Sequence, residues 1–227
     1  MDKIVKVEEG VWNVDPGMSA AYLVVGETGA LLIDSGVGQT NVFENARSIT
    51  DKPLRLVLTH GHADHTGGAK YFDEVFAGEK EERLQNVTAK VVRVSEGFEF
   101  DLGGRVLKVI ELPGHTPGSI GLYDEAAGIV FAGDMVSANP IFFIAGERNE
   151  DDFIASMDKL LALPAAKFCC CHGRMVNGKD TVEHLKKAAA LFRDGKLEPK
   201  QSEGPMPGTV YLSEDGVGFR VVEFRKE

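Results

Sequence analysis

The stretch that most constrains this 227-residue chain is Leu54–Gly68, with the sequence LRLVLTHGHADHTGG. Its apolar run Leu56–Leu58 is typical of a buried strand, and the run stops abruptly at Thr59. Side chains that can bind a metal ion follow within six residues, namely His60, His62, Asp64 and His65. The sequence therefore predicts a core strand that ends in a metal-binding loop.

The spacing of these four residues favours two adjacent metal ions over a single ion. In extended backbone His60 and His62 lie on one face, while Asp64 and His65 lie one turn further on and can face elsewhere. Imidazole and carboxylate ligands suit zinc, iron or manganese, and a set without thiolate does not select among them. A single histidine at a strand end is more often hydrogen-bonded or solvent-facing, but four such groups are costly to cluster unless a cation compensates.

Length and charge limit the function classes that fit this chain. A chain of 227 residues can bury one large core, and we expect a single domain over residues 1–227. A net charge of −10 without a basic stripe argues against nucleic acid as a partner. The sequence has no apolar run long enough for a signal peptide or a membrane span, so we expect no membrane partner and a cytoplasmic location.

The cysteines of the chain are consecutive, at Cys169, Cys170 and Cys171. Neighbours in sequence are poorly placed to pair with each other, so a disulfide framework is excluded. We interpret them as small buried strand residues in a reducing compartment, with a redox role as the alternative.

Hydrophobic patterns predict alternating strands and helices, and hence a layered α/β domain. The first third is rich in strands, and Asp34 closes one of them, where it either caps a turn or orients a neighbouring ligand. Helices are predicted over residues 38–50, 66–72, 78–85, 152–163 and 180–193. We expect a capping box from Asp180 to Glu183 to open the last helix. Two β-like runs, over residues 209–212 and 218–224, follow near the end of the chain.

Three further polar residues lie at strand-to-loop junctions beside a glycine: His115, Asp134 and His172. Ligands from distant segments can converge where strands end on one edge of a sheet, so we expect these residues to join the cluster. The sixth histidine, His184, lies on a predicted helix away from its apolar face, and we expect it to be exposed.

The motifs HGHADH, PGHTPGS, FAGDM and CHG, in that order, resemble the motif set of the metallo-β-lactamase superfamily. The resemblance implies a four-layer αββα sandwich with metal ions at one edge of its paired sheets. The implied ligand sets are His60, His62 and His115 for one ion and Asp64, His65 and His172 for the other. Asp134 would bridge both ions.

The chemistry that the resemblance implies is hydrolysis by a hydroxide that two divalent ions share, with zinc as the first choice. The hydroxide would attack the carbonyl of a small ester, thioester or lactone, with Asp64 and Asp134 as the catalytic carboxylates. True zinc β-lactamases of the family lack one of these carboxylates, so the chain resembles glyoxalase II-like and lactonase-like members instead. The alternatives are a mononuclear non-haem iron dioxygenase of the persulfide dioxygenase type and a non-catalytic metal-binding module.

The apolar segment Ile141–Ile144 follows Asp134 closely and bears on the choice of partner. It either walls the pocket, which favours a small-molecule substrate with an acyl or aromatic group, or packs as a strand or a dimer contact. The second option admits a homodimer.

Overall fold

A seven-stranded sheet carries the strand that leads to the HGHADH motif. The computed structural model describes residues 4–15, 17–202 and 208–222. Strands follow chain order across this sheet: β1 (Val5–Glu8), β2 (Val11–Asn13), β3 (Tyr22–Val25), β4 (Ala30–Ile33), β5 (Leu54–Leu58), β6 (Glu74–Gly78) and β7 (Lys90–Val94). Neighbours from β1 to β4 are antiparallel, whereas β4 to β7 run parallel. Asp34 and Thr59 therefore follow parallel strands at the same edge of the sheet.

A six-stranded sheet and a four-stranded sheet hold the remaining strands. These are β8 (Glu99–Asp101), β9 (Val106–Glu111), β10 (Ile120–Asp124), β11 (Ile129–Phe131), β12 (Ile141–Ile144), β13 (Lys167–Cys169), β14 (Val176–Asn177), β15 (Pro199–Ser202), β16 (Gly208–Leu212) and β17 (Gly218–Val222). The six-stranded order is β14-β13-β11-β10-β9-β8, and the four-stranded order is β12-β17-β16-β15. The sequence patterns do not predict the separate four-stranded sheet, because β12 pairs in parallel with the distant β17.

The helices are α1 (Val42–Arg47), α2 (Ala63–Thr66), α3 (Glu150–Ala162) and α4 (Lys179–Arg193), with 3-10 turns at Ala69–Tyr71 and Gly133–Met135. Helices α1, α3 and α4 cover the outer faces of the two larger sheets, whereas α2 lies in the loop after β5. The core under α1 includes Val42 and Ala46, and the core under α3 and α4 includes Phe153. A third core joins the facing sides of the two sheets, where the rings of Tyr22 and Phe131 lie 5.4 Å apart. The predicted αββα sandwich is confirmed.

Both faces of the central strands are covered. In β3, Tyr22 and Val24 belong to the core between the sheets, whereas Leu23 belongs to the core on the α1 side. Side chains alternate between faces along a strand, so a strand covered on both faces needs apolar residues at successive positions. This requirement explains the continuous apolar runs that predict strands in the first third of the chain.

Two predicted helices near the metal loop have the wrong extent. The helix predicted over residues 38–50 is only α1. Within the helix predicted over residues 66–72 the structure has the end of α2 at Thr66 and a 3-10 turn at Ala69–Tyr71. The loop at Val37 packs directly on Gly67, where an added Cβ would lie 2.2 Å from the carbonyl carbon of Val37. Helix α2 therefore ends at Thr66, directly before the contact between Gly67 and the backbone of Val37.

The helix predicted over residues 78–85 does not form. Residues 74–78 form β6 instead, and residues 79–89 are irregular. The buried Glu81 carboxylate accepts a hydrogen bond of 2.7 Å from Thr116 Oγ1, and Arg93 donates to the carbonyl oxygens of Gly78 and Glu81. These tertiary contacts override the helical propensity of a segment rich in Glu, Lys and Arg.

The prediction of a capping box is wrong. Helix α4 begins at Lys179 after the extended Gly178, so Asp180 lies inside the first turn, and no side chain caps the helix. His184 on this helix is exposed, as predicted. The three cysteines are buried and free, also as predicted.

Two further predictions concern the last strand and the absence of a membrane span. The last strand is confirmed over Gly218–Val222, while residues 223 and 224 lie outside the described residues. Among the described residues, no helix combines the length and the apolar character needed to cross a membrane.

Candidate metal centre

Three imidazoles converge at one edge of the sandwich. His60 and His62 follow β5, and His115 lies on the loop from β9 to β10. The Nε2 atom of His115 lies 3.2 Å from Nε2 of His60 and 3.1 Å from Nδ1 of His62, and those two atoms are 3.1 Å apart. Ligands about 2.0–2.1 Å from a tetrahedral ion lie about 3.3 Å from one another. The three nitrogens therefore have the separation that one ion requires.

These three imidazoles favour the neutral form. Burial lowers the pKa of His60 well below 6.5, and it lowers the pKa values of His62 and His115 to about 4. Thr59 Oγ1 donates to Asp34 and lies 3.1 Å from Nδ1 of His60, so it accepts a hydrogen bond from that nitrogen. The proton on Nδ1 leaves the Nε2 lone pair of His60 directed at the other two histidines.

A second group of donors lies beside the first. Asp64 and His65 lie on α2, and His172 follows β13. Nε2 of His172 is 3.2 Å from Oδ2 of Asp64, and Nε2 of His65 is 3.7 Å from the same oxygen. The structure thus brings together the second ligand set that the family resemblance implies, with one donor atom from each residue within 4.8 Å of the other two.

Asp134 lies between the two groups. It follows β11 on the 3-10 turn Gly133–Met135 and is held among three histidines. Its Oδ2 atom is 3.7 Å from Nε2 of His115 and 3.3 Å from Nε2 of His172. Its Oδ1 atom is 3.4 Å from Nε2 of His65. A carboxylate that faces histidines of both groups has the position that a bridging ligand needs.

Asp34 supports His65 from the side away from the centre. Its fully buried carboxylate accepts hydrogen bonds from the backbone nitrogen of Thr59 (2.7 Å), from Thr59 Oγ1 (2.7 Å) and from Nδ1 of His65 (2.9 Å). The φ angle of Asp34 is 60°, a conformation that aspartate tolerates better than most residues. Because Nδ1 of His65 donates to Asp34, Nε2 is the nitrogen that faces the centre and that would bind an ion after losing its proton. These contacts support the alternative in which Asp34 orients a ligand.

Charge dominates the protonation of the second group. Burial opposes the charged form of His65, but Asp134 and Asp34 outweigh it and raise the pKa of His65 well above 6.5. Burial likewise opposes the charge on His172, yet hydrogen bonds to Asp134 and Asp64 raise its pKa to about 10. A cation that binds this group displaces protons, since a histidine ligand must be deprotonated.

Two buried polar atoms face each other in the centre without a hydrogen bond. Within the described part of the chain, Nε2 of His65 and Oδ1 of Asp134 have no hydrogen-bond partner. A buried polar atom without a hydrogen-bond partner is costly, and a bound cation that displaces the proton of Nε2 would satisfy both atoms. Nitrogen and carboxylate donors are those that zinc, iron and manganese accept. The residues present therefore fit a pair of divalent cations.

The outer nitrogens of His172 and His62 are contacted by residues that sequence patterns did not single out. Nδ1 of His172 donates to the carbonyl oxygen of Met18 at 2.8 Å, and Nε2 of His62 lies 3.4 Å from Oε2 of Glu147. Neither residue belongs to a recognisable motif, and both are far from their histidine in sequence. Sequence patterns did indicate Asp34, which contacts the outer nitrogen of His65, and Thr59 directly precedes His60 in the sequence.

A cavity of about 250 Å³ opens beside this centre. Asp134 and His172 line one part of it, and the other lining residues are Met18, Ser137, Asn139, Pro140, Ile141, Phe142 and Gly173. Within Ile141–Ile144, the first two residues line the cavity, whereas Phe143 is buried in the core. The segment is therefore both a packed strand and a pocket wall.

The sequence matches the family model described as "Metallo-beta-lactamase superfamily" over residues 14–81 and 77–172. These two matched segments contain all seven candidate ligands. The chain belongs to the metallo-β-lactamase superfamily. This result agrees with the motif order and with the αββα sandwich.

Curated relatives within this superfamily carry hydrolase names. The chain is 32% identical over 190 residues to a hydroxyacylglutathione hydrolase of Stenotrophomonas maltophilia, which covers 79% of this chain and 63% of the relative. It is 29% identical over 183 residues to the acyl-coenzyme A thioesterase MBLAC2 of Gallus gallus, which covers 63% of this chain and 66% of the relative. The chain thus spans less than two thirds of the length of both relatives.

Solved structures of superfamily members share the fold. A metallo-β-lactamase from Pontibacter korlensis superposes with a TM-score of 0.69 at 22% identity, covering 84% of this chain and 99% of the other. A metallo-β-lactamase family protein of Thermus thermophilus gives a TM-score of 0.69 at 21% identity, covering 86% of this chain and 85% of the other. At these identities the likeness supports the fold alone.

Proposed function

We propose that this superfamily member is a metal-dependent hydrolase of small acyl thioesters that uses two divalent ions, zinc first, with iron or manganese as alternatives. The observation that carries the proposal is the pair of three-donor groups with Asp134 between them. His60, His62 and His115 would hold one ion, and Asp64, His65 and His172 would hold the other. Asp134 would contact both.

Asp134 and Asp64 have different roles in the proposed reaction. When bound, such ions supply a nucleophilic water near neutral pH and polarise the substrate carbonyl. Asp134 fixes the spacing of the two groups because its carboxylate faces His115 on one side and His65 and His172 on the other. Asp64 is the candidate proton carrier, since its side chain is 32% exposed and can exchange protons with solvent.

Two observations support an acyl thioester as the substrate. The relatives are named for thioester hydrolysis, of hydroxyacylglutathione in one case and of acyl-coenzyme A in the other. The cavity beside the centre is lined by Met18, Pro140, Ile141 and Phe142 among others, and none of the described residues that line it is Lys or Arg. Such a wall suits an uncharged acyl group, and a volume of about 250 Å³ suits a small one.

The domain organisation, the partners and the cellular location remain predictions. We expect residues 1–227 to act as one domain, and the net charge of −10 to disfavour nucleic acid as a partner. Three buried free thiols favour a reducing compartment, which agrees with the expected cytoplasmic location. A homodimer would be detected by light scattering.

Metal analysis together with turnover tests the proposed function. Protein purified without added metal should contain about two equivalents of divalent ion and hydrolyse a short acyl-coenzyme A or a hydroxyacyl glutathione thioester, detected as released thiol. Chelation should abolish this turnover, and zinc should restore it. About one equivalent of iron with oxygen uptake and no hydrolysis would favour the dioxygenase. Full metal loading without turnover of thioesters, esters or lactones would favour a binding module.

A further inference from the structure

His62 is the member of the three-histidine group that packing holds least. Its side chain is 11% exposed, whereas that of His115 is 1% exposed. It also differs in orientation, because its Nδ1 atom faces the centre while His60 and His115 both present Nε2. A ring that presents Nδ1 and is partly exposed needs an outer contact to fix its rotation and its tautomer.

Glu147 supplies that contact from the end of the four-stranded sheet. We propose that Glu147 is a positioning residue whose carboxylate accepts a hydrogen bond from Nε2–H of His62 and keeps Nδ1 directed at the centre. Oε2 of Glu147 lies 3.4 Å from Nε2 of His62, and Oε1 lies 2.8 Å from Nε of Arg83. Glu147 thus binds the histidine with one oxygen and is anchored by a guanidinium through the other.

The backbone around Glu147 is tied to the same centre. Its amide donates to the carbonyl oxygen of Ile144, and the amide of Asn149 donates to the carbonyl oxygen of Gly114, at 3.1 and 3.0 Å. Gly114 directly precedes His115, so one short turn contacts two histidines of the group, one by a side chain and one through its loop. These backbone hydrogen bonds fix the position of the Glu147 backbone relative to His115.

Arg83 packs against the HGHADH loop at Gly61. An added Cβ at Gly61 would lie 2.3 Å from the carbonyl oxygen of Arg83, so the two backbones are in direct contact between His60 and His62. The amide of Arg83 donates to the buried carboxylate of Glu81 at 2.9 Å. The pair Arg83–Glu147 therefore joins the segment after β6 to the segment after β12 across the imidazole of His62.

This inference rests on the proposed metal-dependent function, but its first test needs no metal. Long-range ¹H–¹⁵N spectra of the metal-free protein at pH 7 report which nitrogen of His62 carries the proton. We expect the Nε2–H tautomer in the wild type and a loss of that preference in Glu147→Ala. A matched control is Glu150→Ala, because Glu150 is also 23% exposed and pairs with Arg148 at 2.7 Å without touching a histidine.

The second test is metal affinity, measured by competition with a chelator and by the absorption spectrum of the cobalt-loaded protein. Glu147→Ala should bind the ion of the three-histidine group roughly 10–100-fold more weakly, with an altered cobalt spectrum. Glu147→Gln should retain most of the affinity, because its amide oxygen can still accept from His62. The melting temperature of the metal-free protein should be similar in all three variants.

Two results would overturn the inference. One is an Nε2–H tautomer that persists in Glu147→Ala with unchanged metal affinity. The other is an equal loss of affinity in Glu147→Ala and Glu150→Ala, which would mean a general effect of removing a surface carboxylate. If the wild type binds no divalent ion, the proposed function fails, whereas the tautomer of His62 still decides the role of Glu147.

Discussion

Replacing Asp34 with asparagine separates the charge of this buried carboxylate from its shape. Asparagine has nearly the same volume and also tolerates the φ angle of 60°, so the backbone keeps its conformation. The amide oxygen can still accept from the backbone nitrogen of Thr59. An NH₂ group then replaces the oxygen that accepts from Thr59 Oγ1 and from Nδ1 of His65. The thiol of Cys171 also donates weakly to this oxygen, at 3.3 Å. One new donor therefore faces two strong donors and one weak donor.

The size of the effect follows mainly from the two strong contacts, with Thr59 Oγ1 and Nδ1 of His65. Hydrogen bonds to a charged group contribute about 1.5–3 kcal/mol each, so the free energy of unfolding falls by at most roughly 6 kcal/mol. The hydroxyl of Thr59 can rotate and accept from the amide, which reduces the expected loss to about 2–4 kcal/mol. His65 can relieve the other clash by losing the proton on Nδ1 and keeping the proton on Nε2, the nitrogen that faces the centre. We therefore expect roughly 10–100-fold weaker metal binding at the second group.

Urea unfolding of the metal-free protein and chelator competition measure the two quantities. Asp124→Asn is a matched control, because Asp124 is also fully buried and accepts a hydrogen bond of 2.6 Å from Nε of Arg105, on the six-stranded sheet and outside the candidate ligand groups. This control should lose stability and bind metal like the wild type. Equal metal affinity in Asp34→Asn and the wild type, or an equal loss in both variants, would refute the orienting role of Asp34.

Three further predictions concern the centre and its cavity. Asp134→Ala should remove at least one metal equivalent and most thioester turnover, because Asp134 faces both groups; unchanged metal content and turnover would contradict the bridge. At pH 7, filling the second group should release protons because the pKa of His172 is about 10, whereas His62 and His115, with pKa values of about 4, should release none. Calorimetry in buffers of different ionisation enthalpy measures this difference, and proton release of equal size at both groups would count against it. Phe142→Ala should raise KM for an acyl thioester roughly tenfold with little change in kcat, because Phe142 lines the cavity; an unchanged KM would remove this wall from the substrate site.

The convergence of the candidate ligands could be predicted because histidine and aspartate side chains at strand ends are typical metal-binding groups. Four metal-binding side chains directly after a buried strand would repel or desolvate one another without a bound cation, and His115 and His172 share the position of a glycine-flanked residue after or between strands. Burial of the strands follows equally from their apolar runs. These features depend on local sequence, which is why the predictions and the structure agree on them.

The remaining features depend on contacts between distant segments. Residues 78–85 have helical composition, but the carboxylate of Glu81 is drawn into a buried contact with Thr116 that no local pattern indicates. Glu147 reaches His62 only because β12 pairs with β17 and delivers the turn after it to the centre. Pairing of this kind is determined by the packing of the whole sandwich, so single-sequence patterns do not contain it.

Each candidate ligand group takes donors from both large sheets. The segment after β5 in the seven-stranded sheet supplies two donors to each group, and loops of the six-stranded sheet supply the third donor to each. A bound ion would therefore be a non-covalent cross-link between the two halves of the sandwich. Its binding free energy would add to the resistance of the sheets against separation. Substitutions in the core between the sheets, far from any substrate, would then change the separation of the donors within each group and hence the affinity for metal.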